Sequence, residues 1–138
     1  MRGVERGEQP GAEAIHTSVA EVFTEQDGTV VLRFLVGSDV TAEATREVMR
    51  AQISAARGGK RATLADLRGI ASNERGSREL AAGPEIAAVT LRVALLVGNP
   101  VSRIFGSFFL RVARPAYPTR IFTDEASARR WLVEATES

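Results

Sequence analysis

Residues 92–100 read Arg-Val-Ala-Leu-Leu-Val-Gly-Asn-Pro, and this stretch decides the fold class. The uninterrupted apolar run 93–97 indicates a strand that is buried on both faces, which is typical of a parallel sheet covered by helices. Asn99 is a favoured N-cap residue and Pro100 suits the first helical position, so a helix is predicted to follow at once. A buried strand that leads directly into a helix is the repeating unit of α/β folds.

The segments on both sides of this stretch also alternate between strand and helix patterns. Gln26-Asp27-Gly28 is a turn signal between two β-rich segments, so it predicts an N-terminal hairpin. Gly83-Pro84 must break or kink the helix predicted around it. The order ββαβαβαβα predicts a mixed, mainly parallel sheet covered by helices. We predict strands over 15–24, 29–36, 61–67, 92–97 and 119–122, and helices from a cap at Thr41 to Gly58-Gly59, from a cap at Ser72 or Asn73 to about Val89, from Asn99 to about Ala113, and from a cap at Thr123 or Asp124 onward.

Length and composition indicate one globular domain. The chain has 138 residues, of which 44% are hydrophobic and 25% are charged. Residues 1–13 mix Gly, Pro and charge without periodicity, which predicts a disordered tail before a single domain over 14–138. The N-terminus lacks the apolar stretch of a signal peptide, and no apolar run approaches the roughly 20 residues that span a bilayer, so we expect a cytoplasmic protein.

The residue inventory argues against the common kinds of enzyme. The chain has no cysteine and a single histidine, His16, so thiolate catalysis and multi-histidine metal sites are excluded within one chain. We find no carboxylate pair and no nucleophile next to a base with suitable spacing. The aromatic residues lie at core spacing and do not alternate with basic residues along a strand, which is unlike a nucleic-acid-binding sheet. We therefore expect a binding protein without metal, cofactor or nucleic acid.

Arginine dominates the positive charge of the chain. Of 18 basic residues, only Lys60 is a lysine. Residues 92–130 hold seven arginines against Asp124 and Glu125, although the net charge of the whole chain is only +1. The arginine excess is typical of a GC-rich bacterial genome, but it also suits the forked recognition of phosphate or carboxylate. Both interpretations stay open.

The helix predicted after Asn99 is the most informative candidate for binding. Its apolar residues recur at helical period, and Arg103, Ser107, Arg111 and Arg114 lie on the other side. One interpretation is a helix that packs on the core, with a solvated basic face. The alternative is an interfacial helix that lays its phenylalanines into a membrane and places arginines at the head groups, while its N-terminus favours an anion. The apolar stripe consists of Val101, Ile104, Phe105, Phe108, Phe109 and Val112, and the candidate ligand- or membrane-binding residues are Asn99, Ser102, Arg103, Phe105, Phe109 and Arg111.

Three stretches of the sequence together carry a family resemblance. They are Ala65-Asp66-Leu67-Arg68-Gly69-Ile70, Val93-Ala94-Leu95-Leu96-Val97-Gly98-Asn99-Pro100, and Pro118-Thr119-Arg120-Ile121-Phe122-Thr123-Asp124-Glu125 with Ala128 and Trp131-Leu132. Over roughly residues 15–134 the chain resembles the SpoIIAA-like (STAS-like) family of small bacterial proteins, in a branch mostly of unknown function. The resemblance implies a non-enzymatic module whose loop and helix after the third strand bind a protein partner, with a phosphorylatable serine in an Asp-Ser-x-Gly-like turn. It also implies a relation to CRAL-TRIO lipid-transfer domains, and with it the alternative of a lipid- or membrane-associated module or one that binds a small apolar ligand.

The turn itself departs from the family pattern. Residues 71–77 read Ala-Ser-Asn-Glu-Arg-Gly-Ser and lack the Asp-Ser pair, so only Ser72 and Ser77 are left as substitutes. Asp66 and Arg68 lie at the carboxyl end of a predicted central strand, where ligands of open α/β sheets bind. We expect a bacterial regulatory protein as the partner, with anionic lipid at the inner membrane face as the alternative; a homodimer through an uncovered sheet edge stays open. The candidate partner-binding residues are Asp66, Arg68, Ser72, Asn73, Arg75, Ser77 and Arg78.

Overall fold

A computed structural model describes the backbone of residues 14–137 and the side chains of residues 14–134. The tail predicted over 1–13 lies outside the described residues. The strands are β1 (Ile15–His16), β2 (Ala20–Thr24), β3 (Val30–Phe34), β4 (Ser38–Val40), β5 (Arg61–Asp66), β6 (Ile70–Asn73), β7 (Thr90–Leu96) and β8 (Thr119–Phe122). The helices are α1 (Ala42–Ala56), α2 (Ser77–Ala81), α3 (Pro84–Ala87), α4 (Pro100–Phe108) and α5 (Glu125–Glu137), and a π-helical turn over Phe109–Ala113 continues α4.

Six strands form the main sheet in the order β1-β2-β3-β5-β7-β8. The first three are antiparallel, whereas β3, β5, β7 and β8 run parallel to one another. The remaining strands, β4 and β6, form a separate parallel pair. Because the carboxyl ends of parallel strands meet at one edge, the loops that follow β3, β5 and β7 lie together there.

Helices cover both faces of the sheet. On one face α1, α3 and α4 pack over a core that includes Val48 and Phe105 together with Val93 and Leu95 of β7. On the other face α5 places Ala128 and Leu132 against Leu64 and Leu96. From Val93 to Leu96 successive residues of β7 belong to the two cores in turn, which explains why this part of the strand is apolar. The predicted mixed, mainly parallel α/β sheet with covering helices is confirmed.

The prediction of one strand over 15–24 was wrong. The chain reverses between β1 and β2, and the two strands pair antiparallel with Ile15 opposite Val22. Thr17 makes this turn, because its hydroxyl accepts hydrogen bonds from the backbone N–H groups of Val19 and Ala20. A threonine side chain that binds the backbone two and three residues ahead is a local turn signal, which apolar periodicity does not detect.

The prediction of one helix over 72–89 was also wrong. Residues 70–73 form β6, which pairs with β4, and the helix begins only at Ser77 after Gly76, whose φ is +94°. Gly83-Pro84 divides the remaining helical segment into α2 and α3, so the predicted break is confirmed. The strand predicted over 29–36 ends at Phe34, and β4 follows as a separate short strand. The pairing of β4 with β6 joins segments about 30 residues apart, so no local pattern announces it.

Candidate interaction surface

The carboxyl end of β5 carries a buried carboxylate that is fully engaged by arginines. Asp66 is 4% exposed and pairs in register with Arg33 of β3. Its Oδ2 lies 2.7 Å from Arg33 Nη1 and 2.9 Å from Arg68 Nη2, and its Oδ1 accepts from Arg68 Nε at 2.9 Å and from the Arg68 backbone N–H at 3.1 Å. The structure therefore brings the predicted residues Asp66 and Arg68 together, but as partners of each other.

The same charges continue onto α5. Arg33 Nη1 and Arg68 Nη2 lie 3.6 and 3.4 Å from Glu125 Oε1. Arg129 donates to Glu125 Oε2 at 3.0 Å and forks onto both oxygens of buried Glu25 at 2.7 and 2.9 Å. Three acidic and three basic residues thus form one network, hereafter the ion network, that fastens α5 to the sheet. Its members are Glu25, Arg33, Asp66, Arg68, Glu125 and Arg129.

The ion network shifts the pKa values of Asp66, Glu125 and Arg129 in the direction that favours their charged forms. Burial acts to raise the pKa of Asp66, but hydrogen bonds from Arg68 and the positive charges of Arg68 and Arg33 outweigh burial, so this pKa lies below its ordinary value. Burial likewise opposes ionisation of Glu125, and Arg129 and Arg33 overcome it, so the pKa of Glu125 is lowered too. Bonding to Glu25 raises the pKa of Arg129 further above its ordinary value. At neutral pH the carboxylates of Asp66 and Glu125 are held ionised and bonded, which suits a structural clamp better than proton transfer.

The turn after β6 uses several of its polar groups inside the protein. Ser77 is fully buried and donates from Oγ to the Val40 carbonyl at 3.1 Å. Ser72 is exposed, and its Oγ lies 2.6 Å from Asp39 Oδ1, so a phosphate on this serine would meet a like charge. Glu74 accepts from the Ala42 N–H at the start of α1. Arg75 is exposed, and Asn73 is half-buried in β6.

Arg78 connects this turn to α4. Its guanidinium lies 3.7 Å from the centre of the Phe108 ring, in a cation–π contact. Tyr117 also fastens α2, since its hydroxyl donates to the Ala81 carbonyl at 3.2 Å. The two surfaces that the sequence analysis treated separately, the turn with α2 and the helix after Asn99, are therefore neighbours.

The start of α4 is closed by the chain's own groups. Asn99 Oδ1 accepts from the Ser102 N–H at 2.7 Å, and its Nδ2 donates to the carbonyls of Arg68 and Ile70 at 3.0 and 3.4 Å. Ser102 is fully buried, and its Oγ accepts from the backbone N–H groups of Gly98 and Asn99. Asn99 and Ser102 thus form a capping box that joins α4 to the loop after β5, rather than an open cradle for an anion.

The buried side of α4 is narrower than its apolar stripe. Phe105 and Phe109 lie in the core with their rings stacked at a centroid separation of 6.5 Å. Gly106 lets α4 lie close to the residue that follows β7, because a Cβ at position 106 would lie 3.3 Å from Val97 Cγ1. Ile104 is 64% exposed and Val112 is 57% exposed. The interpretation that the whole stripe packs on the core was therefore wrong at these two positions.

The π-helical turn explains the exposure of Val112. The Arg114 N–H donates to the Phe109 carbonyl at 3.1 Å, five residues earlier in the chain. A turn that holds an extra residue rotates the following side chains relative to a regular helix. Val112 consequently leaves the buried side and continues the line of Ile104 and half-buried Phe108. We call Ile104, Phe108 and Val112 the α4 ridge.

A basic column runs beside the α4 ridge. It consists of Arg103, Ser107 and Arg111, which follow one another at four-residue spacing and are all exposed. Within the described side chains, 14–134, neither Arg103 nor Arg111 forms an ion pair. The surface that combines α2, the α4 ridge and the basic column is the candidate interaction surface.

Sequence reasoning missed most of the ion network. It selected Asp66 and Arg68, but the other four members lie just after β2, in β3 and in α5, and Glu25 and Arg129 are 104 residues apart. Each is an ordinary charged residue in its own segment, so no local signal distinguishes it. The α4 ridge has a clear local signal, but that signal is misleading. Its residues recur at helical period with the buried ones, so the sequence does not separate them from the core-facing part of the apolar stripe.

Comparisons with known proteins agree with this fold. A family model described as "Domain of unknown function (DUF7793)" matches residues 23–136. The structure is similar to the crystal structure of an uncharacterized protein from the DUF3478 family with a SpoIIAA-like fold, from Shewanella loihica PV-4. The TM-score is 0.58 at 17% identity, and the match covers 88% of this chain and 98% of that chain.

The structural match shows which fold the chain has, and the family match shows to which family the chain belongs. At 17% identity the likeness establishes a SpoIIAA-like fold, as the sequence resemblance implied, and nothing about activity. No curated protein matches the chain. No helix within the described residues is long and apolar enough to cross a membrane. Because the family model spans most of the sequence, the chain belongs to the DUF7793 family.

Proposed function

We propose that this chain is a non-enzymatic SpoIIAA-like interaction module that binds a protein partner through the surface formed by α2, the α4 ridge and the basic column. One observation carries the proposal. Ile104 and Val112 are 64% and 57% exposed on a helix whose opposite side already lies in the core. Burying a fully exposed side chain of this kind contributes roughly 1.5–3 kcal/mol. A partner that covers Ile104 and Val112 gains the part that corresponds to their exposed fractions. Contiguous exposed apolar residues rimmed by charge are typical of interaction sites.

The polar groups at the carboxyl edge of the sheet support binding over catalysis. Asp66 and Glu125 are held ionised by arginines, and Asn99 and Ser102 are used as a helix cap. None of these groups is poised to exchange a proton or attack a substrate near neutral pH. The proposal accordingly moves the binding surface away from Asp66, Ser77 and Ser102 and onto the exposed side of α4, next to Arg75 and Arg78.

A protein partner is favoured over a lipid surface. Membrane insertion by the phenylalanines would require Phe105 and Phe109 to leave the core, and emptying a phenylalanine site costs about 3–5 kcal/mol. Phe108 is covered by Arg78. The exposed remainder is Ile104, Leu110 and Val112, without the exposed Trp or Phe that an interfacial helix typically places on its buried face. The basic column nevertheless suits anionic head groups, so binding to anionic vesicles is measured together with the capture of a protein partner.

The test is a differential capture with the full chain as bait in cells that naturally produce it. Three baits are compared: the native chain, the ridge variant Ile104→Asp/Val112→Asp, and Ile53→Asp, which changes an exposed isoleucine on α1 instead. We expect a protein that the native and Ile53→Asp baits retain and that the ridge variant loses. Identical captures by all three baits, or sedimentation with anionic vesicles that the ridge variant abolishes, would overturn the assignment of this surface to a protein partner.

A further inference from the structure

We infer that the partner docks through an acidic amphipathic segment, in which apolar side chains cover the α4 ridge and carboxylates pair with the basic column. This inference rests on the proposed function and names the chemistry of the partner. The α4 ridge and the basic column lie on the same helix and share a four-residue spacing, but the ridge is apolar and the column is basic.

The geometry defines what the segment must present. The α4 ridge and the basic column lie side by side, and each repeats at four-residue intervals. From Ile104 to Phe108 α4 advances about 6 Å, at the usual rise per residue of an α-helix, and the π-helical turn extends the line to Val112. A partner that covers this length needs two or three apolar side chains in line, which an amphipathic helix supplies at i, i+4 and i+8. Its acidic side chains must then follow along the flank that faces Arg103 and Arg111.

The charge of α4 determines the sign of the partner. Residues 100–114 contain three arginines and no acidic residue. Arg103 and Arg111 form no ion pair within the described side chains, whereas Arg33, Arg68 and Arg129 are all bonded in the ion network. A guanidinium pairs with a carboxylate through two parallel hydrogen bonds. Arg103 and Arg111 therefore each offer a directional site for an aspartate or a glutamate.

The same charges disfavour a second copy of this chain on the same surface. Two α4 ridges facing each other would bring Arg103 and Arg111 of one copy close to the same arginines of the other. Like charges placed across an interface cost free energy, and residues 100–114 offer no acidic residue to compensate them. A different protein of opposite charge fits better.

The experiment places a photoreactive amino acid, p-benzoylphenylalanine, at position 104 of the full chain in cells that naturally produce it. Irradiation joins this position to whatever lies on the α4 ridge, and mass spectrometry sequences the joined fragment. The adduct yield is then compared between this chain, the same chain with Arg103→Glu/Arg111→Glu, and the same chain with Arg46→Glu/Arg50→Glu. The last pair reverses two exposed arginines on α1 and is the matched control.

We expect a protein fragment that combines apolar and acidic residues at helical spacing. Its adduct yield should fall roughly tenfold or more with Arg103→Glu/Arg111→Glu and stay unchanged with Arg46→Glu/Arg50→Glu. A fragment without acidic residues, a lipid, a second copy of this chain, or a yield that ignores the reversal at 103 and 111 overturns the inference. If the differential capture still separates the ridge variant from Ile53→Asp in that case, the proposed function stands and only the partner chemistry fails. If no adduct forms at position 104, both fail.

Discussion

Gly69 shows how a single residue closes the carboxyl edge of the sheet. A Cβ at this position would collide with the carbonyl oxygen of Phe34 and would lie 2.6 Å from the backbone of Leu35. The loop after β3 therefore rests directly on the chain that leaves β5. Gly37 also donates its N–H to the Gly69 carbonyl at 2.8 Å, which holds the two loops together.

We predict that Gly69→Ala destabilises the protein by about 1–3 kcal/mol, because two backbones must separate to admit the methyl group. Equilibrium unfolding in urea measures this loss. Gly59→Ala is the control, since the nearest atom to its added Cβ is 3.9 Å away, and it should stay within about 1 kcal/mol of the native chain. Equal losses in the two variants would show that the contact at Gly69 is not the cause.

At this scale the sequence predicted positions better than contacts. Asp66 and Arg68 were selected because they end a predicted central strand, and they do lie at that edge. Their partner Arg33 was not selected, since it reaches Asp66 only through the register of β3 with β5. Ser77 was selected in the turn over 71–77 and Ser102 at the start of the helix after Asn99, but both side chains are fully buried. Burial of a small hydroxyl depends on tertiary packing, which one segment does not encode.

The side chain of Asn99, at the start of α4, has two separable tasks. Asn99 accepts the Ser102 N–H as a cap, and it donates to the carbonyls of Arg68 and Ile70. Aspartate keeps the accepting oxygen and loses the donor, whereas alanine loses both.

We predict that Asn99→Ala lowers the free energy of unfolding by about 1–2 kcal/mol and that Asn99→Asp lowers it by less. The ranking follows because Asn99→Asp retains the cap, and only its contact with the loop after β5 is lost. Chemical denaturation of the two variants beside the native chain tests this order. A larger loss for Asn99→Asp than for Asn99→Ala would mean that the loop contact, rather than the cap, stabilises this element.

The elements were predictable where their signals are local. β7 and the start of α4 follow from the apolar run 93–97 and from Asn99-Pro100, and the structure confirms both. β4 and β6 were missed because each is short and is defined by the other. The end of α4 departs from prediction because the π-helical turn changes the period on which the apolar stripe was judged.

At the scale of the whole molecule, the ion network makes stability depend on pH. Asp66 and Glu125 have pKa values below their ordinary values in the folded protein. A carboxylate with a lowered folded pKa contributes stability above its unfolded pKa, and that contribution is lost as the pH falls through the folded pKa. The free energy of unfolding should therefore be steady near neutrality and fall as the pH drops below about 4.

We predict that Asp66→Asn flattens this acid limb and destabilises the protein by roughly 3 kcal/mol at pH 7, since two arginines then lose their buried partner. Urea unfolding of both chains from pH 7 to pH 3 provides the comparison. Asp27→Asn, which changes an exposed aspartate outside the ion network, should leave the acid limb in place. An acid limb equally steep in Asp66→Asn and in the native chain would exclude Asp66 as its source.

α4 has two apolar sides: one completes the core, and the other, the α4 ridge, is the side that we propose a partner covers. The most direct measurement is the free energy of unfolding of Ile104→Asp/Val112→Asp, with Phe105→Ala as the comparison. Because Ile104 and Val112 are mostly exposed, we predict a change under about 1 kcal/mol for the double variant, against about 3–5 kcal/mol for Phe105→Ala. A loss in the double variant as large as that of Phe105→Ala would place the α4 ridge in the core and contradict its assignment as a binding surface.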